Sequence, residues 1–342
     1  MTFIIGKLKK KYYYKNHYVS YCNDLYSLLK EIIAKEKAEG LLLSGGLDSS
    51  IIASIQKPKY TITVTLEGYG SDQKYARLIA EKYGSNHINI SIKNNELLKI
   101  EEKVIELFKT FDPIFIRNSS VIFAALQKAS ELQISTILTG DGGDELFAGY
   151  NYLKRYYHDK KELEINVKRL WDNMHFPSEK IGNFFNIKVY SPYLDEKFIK
   201  FAKSIDISMK IGEFKNRMWG KFVLRKCFQQ QERLEQLAWR EKEAQEEGSG
   251  FSKIAHYLDQ IFSNQEFLDN VKRIKEKEDV RIRNKEHLFY YLLYRKYFLP
   301  PGSQKDLIQK RICPDCACNY IWNGHFCRIC GAYPVNPIIR QE

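Results

Sequence analysis

The sequence predicts an α/β protein: a parallel sheet with helices on both faces, followed by a mostly helical region and a small metal-binding module. Three observations predict it. Apolar, β-branched runs alternate with helix-period segments through residues 1–150, the pattern of strands joined by covering helices. Glycine-rich turns follow two of these runs, at the strand ends where open α/β sheets bind ligands. Two Cys-x-x-Cys pairs stand near the end of the sequence.

The elements follow in order. Residues 1–22 form a basic, tyrosine-rich segment that reads as a strand or two. Residues 23–37 carry helix periodicity, with Asn23 and Asp24 near the start. Residues 41–43, three leucines, read as a buried strand. It leads through Gly45 and Gly46 into a helix that Ser49 and Ser50 are expected to cap. Tyr60–Leu66 is a β-branched strand, Asp72–Tyr83 a helix ended by Gly84, and 87–92 a third strand. Helices over about 95–110 and 121–133 precede a strand at 135–138. The α/β core thus spans 23–150, a mostly helical part 151–300, a Pro/Gly linker 301–309 and the small module 310–342.

The net charge of +12 is uneven. Residues 1–150 hold 19 basic and 17 acidic side chains, and the remainder holds 35 and 25. A basic second half suits a polyanion such as RNA or nucleotide phosphates. The N-terminal residues lack the apolar core of a signal peptide, and no apolar run approaches the roughly 18 residues of a membrane span. A cytoplasmic protein without a membrane partner is expected.

Two loops carry chemistry. In Ser44-Gly-Gly-Leu-Asp-Ser-Ser50, a strand ends in a glycine turn at a helix start, where free N–H groups and the helix dipole favour phosphate. Asp48 would repel phosphate unless a cation bridges them, and Mg²⁺ is the cation that carboxylate and phosphate oxygens share. The second loop, from Thr139 through Gly140, Asp141 and Asp144, holds three carboxylates and three glycines within seven residues. Asp141 and Asp144 can share the metal with Asp48.

These motifs, with Ser191-Pro-Tyr-Leu-Asp195, Gly220-Lys-Phe-Val-Leu-Arg225 and the Trp239-Arg-Glu-Lys segment, resemble the synthetase domain of asparagine synthetases, within the ATP pyrophosphatases. The resemblance runs over about 25–300. It implies an adenine nucleotide α-hydrolase-like fold and a ligase that uses ATP to adenylate a carboxylate, releases pyrophosphate, and lets ammonia or an amine form an amide. By position it implies that Ser44, Gly45, Gly46, Ser49 and Ser50 cradle pyrophosphate while Asp48 and Asp144 hold Mg²⁺. Backbone at Leu43, Thr65, Thr139 and Gly140 would frame AMP. Lys242 would steady the phosphates and the intermediate, with Lys221 and Arg240 as further phosphate contacts. Asp141 would bind or deprotonate the amine.

The sequence departs from the family in three ways. It begins Met1-Thr2 without the N-terminal catalytic cysteine of a glutaminase domain, so free ammonia, a separate glutaminase or another amine is expected. Tyr190 and Gln245 replace residues usual in the family near the acceptor side, which leaves the acid open between aspartate and a carboxylate on a macromolecule such as a tRNA base or a protein. Cys313, Cys316, Cys327 and Cys330, in the order Cys-x2-Cys-x10-Cys-x2-Cys, predict a zinc ribbon with a hairpin turn at Asn323-Gly324. Four thiolates leave no open position, so the zinc is expected to be structural, with Cys318 and His325 outside the ligand set. The ribbon could dock RNA or protein, or act as a staple. tRNA thiolation, as in other ATP pyrophosphatases, would need a reactive cysteine near the ATP site, and Cys227 alone stands between Cys22 and the ribbon.

Overall fold

The computed structural model describes residues 21–303, 311–320, 322 and 324–339. The strands expected within 1–22, most of the linker expected at 301–309 and Asn323 of the expected hairpin turn therefore lie outside the described residues. The chain groups into two units. One holds the residues up to Thr63, Asp72–Asn89 and Ala125–Glu243; the other holds Val64–Ser71, Ile90–Ala124 and the residues from Ala244 onward.

Helix α1 (21–36) precedes β1 (Gly40–Leu42), α2 (Leu47–Gln56), β2 (Tyr60–Leu66), α3 (Asp72–Tyr83) and β3 (Asn86–Ile92). Then come α4 (Asn94–Phe108), α5 (Pro113–Glu131), β4 (Thr136–Leu138), α6 (Gly143–Leu146), α7 (Lys160–Asn173), α8 (Ser178–Phe184) and β5 (Lys188–Tyr190). The sheet order is β3-β2-β1-β4-β5, and β1 pairs in parallel with both β2 and β4. β4 pairs in parallel with β5. The order reverses at β1: β2 and β3 run to one side, β4 and β5 to the other. By the right-handed crossover rule, this order assigns α2 and α3 to one face and α8 to the other. The expected α/β class is observed, and the crevice at the C-terminal ends of β1 and β4 is its topological switch point.

Two expectations change in detail. Ser49 and Ser50 do not cap α2, because the helix already starts at Leu47 with Gly46 as its cap. Ser49 instead turns back and donates to the Gly46 carbonyl at 3.2 Å. Helix α5 starts at Pro113 rather than near 121: proline suits the first helical position, and the Asp112 carboxylate accepts from the Ile114 N–H at 3.2 Å.

After α9 (Glu196–Ser204), a hairpin of β6 (Ile211–Phe214) and β7 (Arg217–Gly220) leads into α10 (Phe222–Glu232). The core of this first unit packs α1, α2, α3 and α10 through Leu25, Leu29, Ile51, Ile52, Ile79, Val223 and Phe228. Within it Cys22 on α1 and Cys227 on α10 form a disulfide with Cα atoms 4.9 Å apart. The Cys-x-x-Cys pattern favours metal over disulfides, and this bridge uses two cysteines outside that pattern, brought together from 205 residues apart.

In the second unit, α15 (Lys285–Tyr297) packs on α4, and Phe111 stacks on His287 and meets Tyr291 edge-on. The ribbon follows, with a short antiparallel pair, Arg311–Ile312 and Ile338–Ile339. Among the described residues no helix is long and apolar enough to cross a membrane.

Candidate active site

The two special loops leave the sheet side by side, because β1 and β4 are neighbours. The first turns at Gly45, with φ +67. A Cβ there would stand 2.5 Å from the Ala76 backbone nitrogen, so both the conformation and the contact with α3 require glycine. Ser44 Oγ accepts from the Gly46 N–H at 3.2 Å and lies 3.3 Å from Ser49 Oγ, which shapes the loop around its own hydroxyls.

Asp48 and Asp144 converge on one ammonium. Lys221 Nζ bonds Asp48 Oδ2 and lies 2.8 Å from Asp144 Oδ1, with the lysine almost fully buried. Lys221 caps α10 with a left-handed backbone, φ +54, held by its N–H to the Phe147 carbonyl at 2.9 Å. A non-glycine residue in that conformation stores about 1 kcal/mol of strain. Lys242 approaches from the other side, 3.5 Å from Asp144 Oδ2. Gly149 closes the arrangement, since any Cβ there would collide with the Asp144 carboxylate and the Lys221 side chain.

The charges respond to this packing. Burial pushes the Asp48 carboxyl up and Asp144 adds to it, against the pull of Lys221. Burial also works against ionisation of Asp144, but Lys221 and Lys242 together outweigh it and hold that carboxyl below its ordinary value. For Lys221, burial disfavours the ammonium, and the two carboxylates more than compensate. Asp48 Oδ1 is buried without a hydrogen-bond partner, as is Ser50 Oγ in α2. Buried orphans of this kind fit a site that takes up a cation and phosphate oxygens.

Asp141 is held apart from this cluster. Its Oδ2 accepts from Ser178 Oγ at 2.5 Å, its carbonyl accepts from Ser191 Oγ at 2.5 Å, and burial pushes its carboxyl up. Arg240 is also placed differently from a free phosphate contact. Its guanidinium bonds Asp72 at 2.7 Å and the Ser44 carbonyl at 3.1 Å, and so braces the loop against the start of α3. The Leu43 carbonyl accepts from the Thr63 hydroxyl, and its N–H bonds Ile62 at 2.9 Å. The Thr139 N–H bonds the Tyr190 carbonyl at 3.0 Å, and Gly140 O faces the Gly143 N–H at 3.5 Å. Thr65 is buried in β2. Three residues that no spacing signalled support the site: Asp72, Ser178 and Tyr193, whose hydroxyl donates to the Asp48 carbonyl at 3.1 Å. Tyr190 spends its hydroxyl on Asp195 at 3.0 Å.

The asparagine synthase family model matches residues 29–180 and 158–290. The chain belongs to the asparagine synthase family. A glutamine-hydrolysing asparagine synthetase of Arabidopsis thaliana is 29% identical over 290 residues, covering 78% of this chain and 49% of its own length. One from Brassica oleracea is 28% identical, covering 78% and 48%. The chain thus spans about half the length of the curated relatives it matches. A solved structure described as a subunit of tRNA methyltransferase from Methanocaldococcus jannaschii covers 59% of this chain and 92% of its own at 19% identity, with a TM-score of only 0.28. The family match includes both glycine loops and the Lys242 segment. The cysteine-rich residues from 311 onward lie beyond it.

Those residues form a candidate metal centre in the second unit. The Sγ atoms of Cys313, Cys316, Cys327 and Cys330 all lie within 4.8 Å of one another and are buried. Cys313 and Cys330 are 3.9 Å apart, Cys316 and Cys327 3.8 Å. Zn–S bonds of about 2.3 Å in a tetrahedron set sulfurs ~3.8 Å apart, so the thiols fit zinc. Cys318 Sγ also approaches Cys327, at 3.6 Å, while His325 Nδ1 faces the Val335 carbonyl at 3.2 Å. The cluster rests on fixed backbone: Thr110 Oγ1 and the Phe111 N–H donate to the Ile329 carbonyl at 3.0 and 2.8 Å, and the Arg281 N–H donates to Asp315 O at 2.7 Å. The Arg283 guanidinium reaches the Cys330 carbonyl.

Proposed function

We propose that the chain is an ATP-dependent amide-forming ligase that adenylates a carboxylate, in the manner of an asparagine synthetase supplied with ammonia. The observation that carries this is the convergence of Asp48, Asp144, Lys221 and Lys242 on the switch point of the sheet, against an under-satisfied phosphate loop. Two carboxylates and two ammonium groups in one buried site suit a polyphosphate with its cation better than a neutral ligand.

In this reading a substrate carboxylate oxygen attacks the α-phosphorus of ATP. The bond to the β-phosphate bridge breaks, and pyrophosphate leaves with the electron pair. Ser44, Gly46 and Ser49 receive it at the loop, and Lys221 and Lys242 neutralise its charge. A magnesium ion held by Asp48 and Asp144 would supply further neutralisation of the leaving pyrophosphate. Ammonia then attacks the acyl carbon, AMP leaves, and Asp141, whose carboxyl burial pushes up, would exchange the proton that the amine releases. The cysteine cluster would hold a structural zinc ion, tied to the chain around it.

The test is release of pyrophosphate and AMP from ATP and magnesium with aspartate and ammonium, for the wild type and for Asp48→Asn. Pyrophosphate and asparagine formed together, and lost in the variant, support the aspartate form of the reading. Turnover with RNA or protein but not with aspartate would move the acceptor to a macromolecule, and no pyrophosphate with any acid would sink the ligase reading.

A further inference from the structure

Lys242 belongs to two places at once. Besides facing Asp144 it lines a cavity of about 300 Å³, whose other polar walls include Arg225, Lys154, Arg217 and Glu241, with the Trp219 indole among them. Four cations meet one carboxylate there. Glu241 is that carboxylate, and it is already bonded to Arg217 at 2.8 Å.

Arg225 is the decisive member. It is 4% exposed. Its Nε donates to Gly220 O at 2.9 Å and its Nη1 to the carbonyls of Ala238 and Arg240 at 2.7 and 2.9 Å. Among the described residues no carboxylate lies within ion-pair distance of it. Burial accordingly pushes the guanidinium down, to about 10. Three neutral carbonyls aim this cation, and the Asp48 and Asp144 carboxylates, beyond ion-pair distance, offset its burial only in part, so the charge stays costly until an anion arrives. Arg225 lies over the Trp219 ring at 4.8 Å from the centroid, and Lys154 stands 5.8 Å from the same ring. Trp219 therefore organises two cations beside the cavity.

We propose that this cavity seats a second anionic group, carboxylate or phosphoryl, of a small acid whose first carboxylate is activated beside Lys242, and that this acid carries no ammonium group. The inference rests on the ligase reading above and narrows its substrate class. An α-amino acid would bring an ammonium group among Lys154, Arg225 and Lys242, where the single carboxylate is already taken. A cavity of this volume takes a small acid rather than a folded macromolecular surface.

The experiment is calorimetric titration of the full chain without ATP, using succinate, phosphonoacetate and aspartate as probes. Wild type is compared with the double variant Lys154→Gln/Arg217→Gln, whose side chains are partly or largely exposed and whose loss leaves the core intact. Succinate or phosphonoacetate is expected to bind the wild type, with aspartate at least about tenfold weaker, and the double variant is expected to lose at least about tenfold of the anion affinity. The tighter of the two anions tells carboxylate from phosphoryl. Binding of neither, binding unchanged in the double variant, or aspartate as tight as succinate overturns the proposal. Anion binding that depends on Lys154 and Arg217, alongside no pyrophosphate release with any acid, upholds the cavity and removes the ligase reading alone.

Discussion

The carboxylate–lysine cluster and the cysteine cluster are both buried sites made of ionisable side chains, and they are built in opposite ways. At the first, Asp48 keeps an oxygen without a partner, Lys221 stands in a strained backbone conformation, and each charge is balanced only by a neighbouring charge. At the second, four thiols already stand at the spacing of one tetrahedral ion, and hydrogen bonds from the Thr110 hydroxyl and the Phe111 and Arg281 N–H groups hold the ribbon in place. The first cluster is left unfinished by its own fold, whereas the second would be completed by one ion. The contrast predicts that substitutions at the first cost rate and that substitutions at the second cost stability.

The largest effect that would break the contrast lies at Asp48. Asp48→Asn is expected to lower pyrophosphate release by about a thousandfold, with a much smaller shift in the thermal unfolding midpoint. A comparable loss of stability would show the cluster to be structural. The ribbon should behave in reverse. Elemental analysis is expected to find one zinc per chain, and Cys316→Ser should lose it and lower the unfolding midpoint by roughly 5–10 °C. The rate per folded molecule should stay near wild type.

Burial pushes the Glu101 carboxyl from 4.5 up to about 8, and Tyr290 gives it one hydrogen bond at 2.9 Å. Its folded value lies above its unfolded one, so the native state holds a proton that the unfolded chain has lost. This contribution is fully present below about pH 4.5 and falls away as pH rises toward 8. Glu101→Gln keeps the acceptor for Tyr290 and removes the titration. It is expected to gain roughly 4 kcal/mol over the wild type at the upper end of that window and little at the lower end. Denaturant unfolding across the window checks it; parallel curves for the two proteins would contradict it. The smallest effect is at the glycine turn. Gly45→Ala should cost about 1–3 kcal/mol, from φ +67 and the contact with Ala76, and should also slow pyrophosphate release because the loop must shift.

The sequence made the two loops legible because strand ends rarely carry that density of glycine and carboxylate, and it made the cysteine set legible through spacing alone. The alternation of strands and helices was readable for the same reason that it folds: the central strands β1, β2 and β4 are mostly buried, and helices cover them. Lys221 was only weakly visible, since its importance comes from a left-handed turn after β7 that no local pattern announces. Arg240 looked like a phosphate contact and is committed to Asp72, a partner 168 residues away. Ser178 and Tyr193 reach Asp141 and Asp48 only through tertiary packing. The Cys22–Cys227 bridge was hidden for the same cause, because two lone cysteines have no spacing to read.

Adenylation at the Asp48–Asp144–Lys221 cluster can be followed by exchange of labelled pyrophosphate into ATP. With magnesium and a competent acid present, and ammonia withheld, label should appear in ATP for the wild type and fall about a thousandfold in Asp48→Asn. Exchange that needs no acid, or ATP turned over to ADP and phosphate with no exchange, would contradict the account.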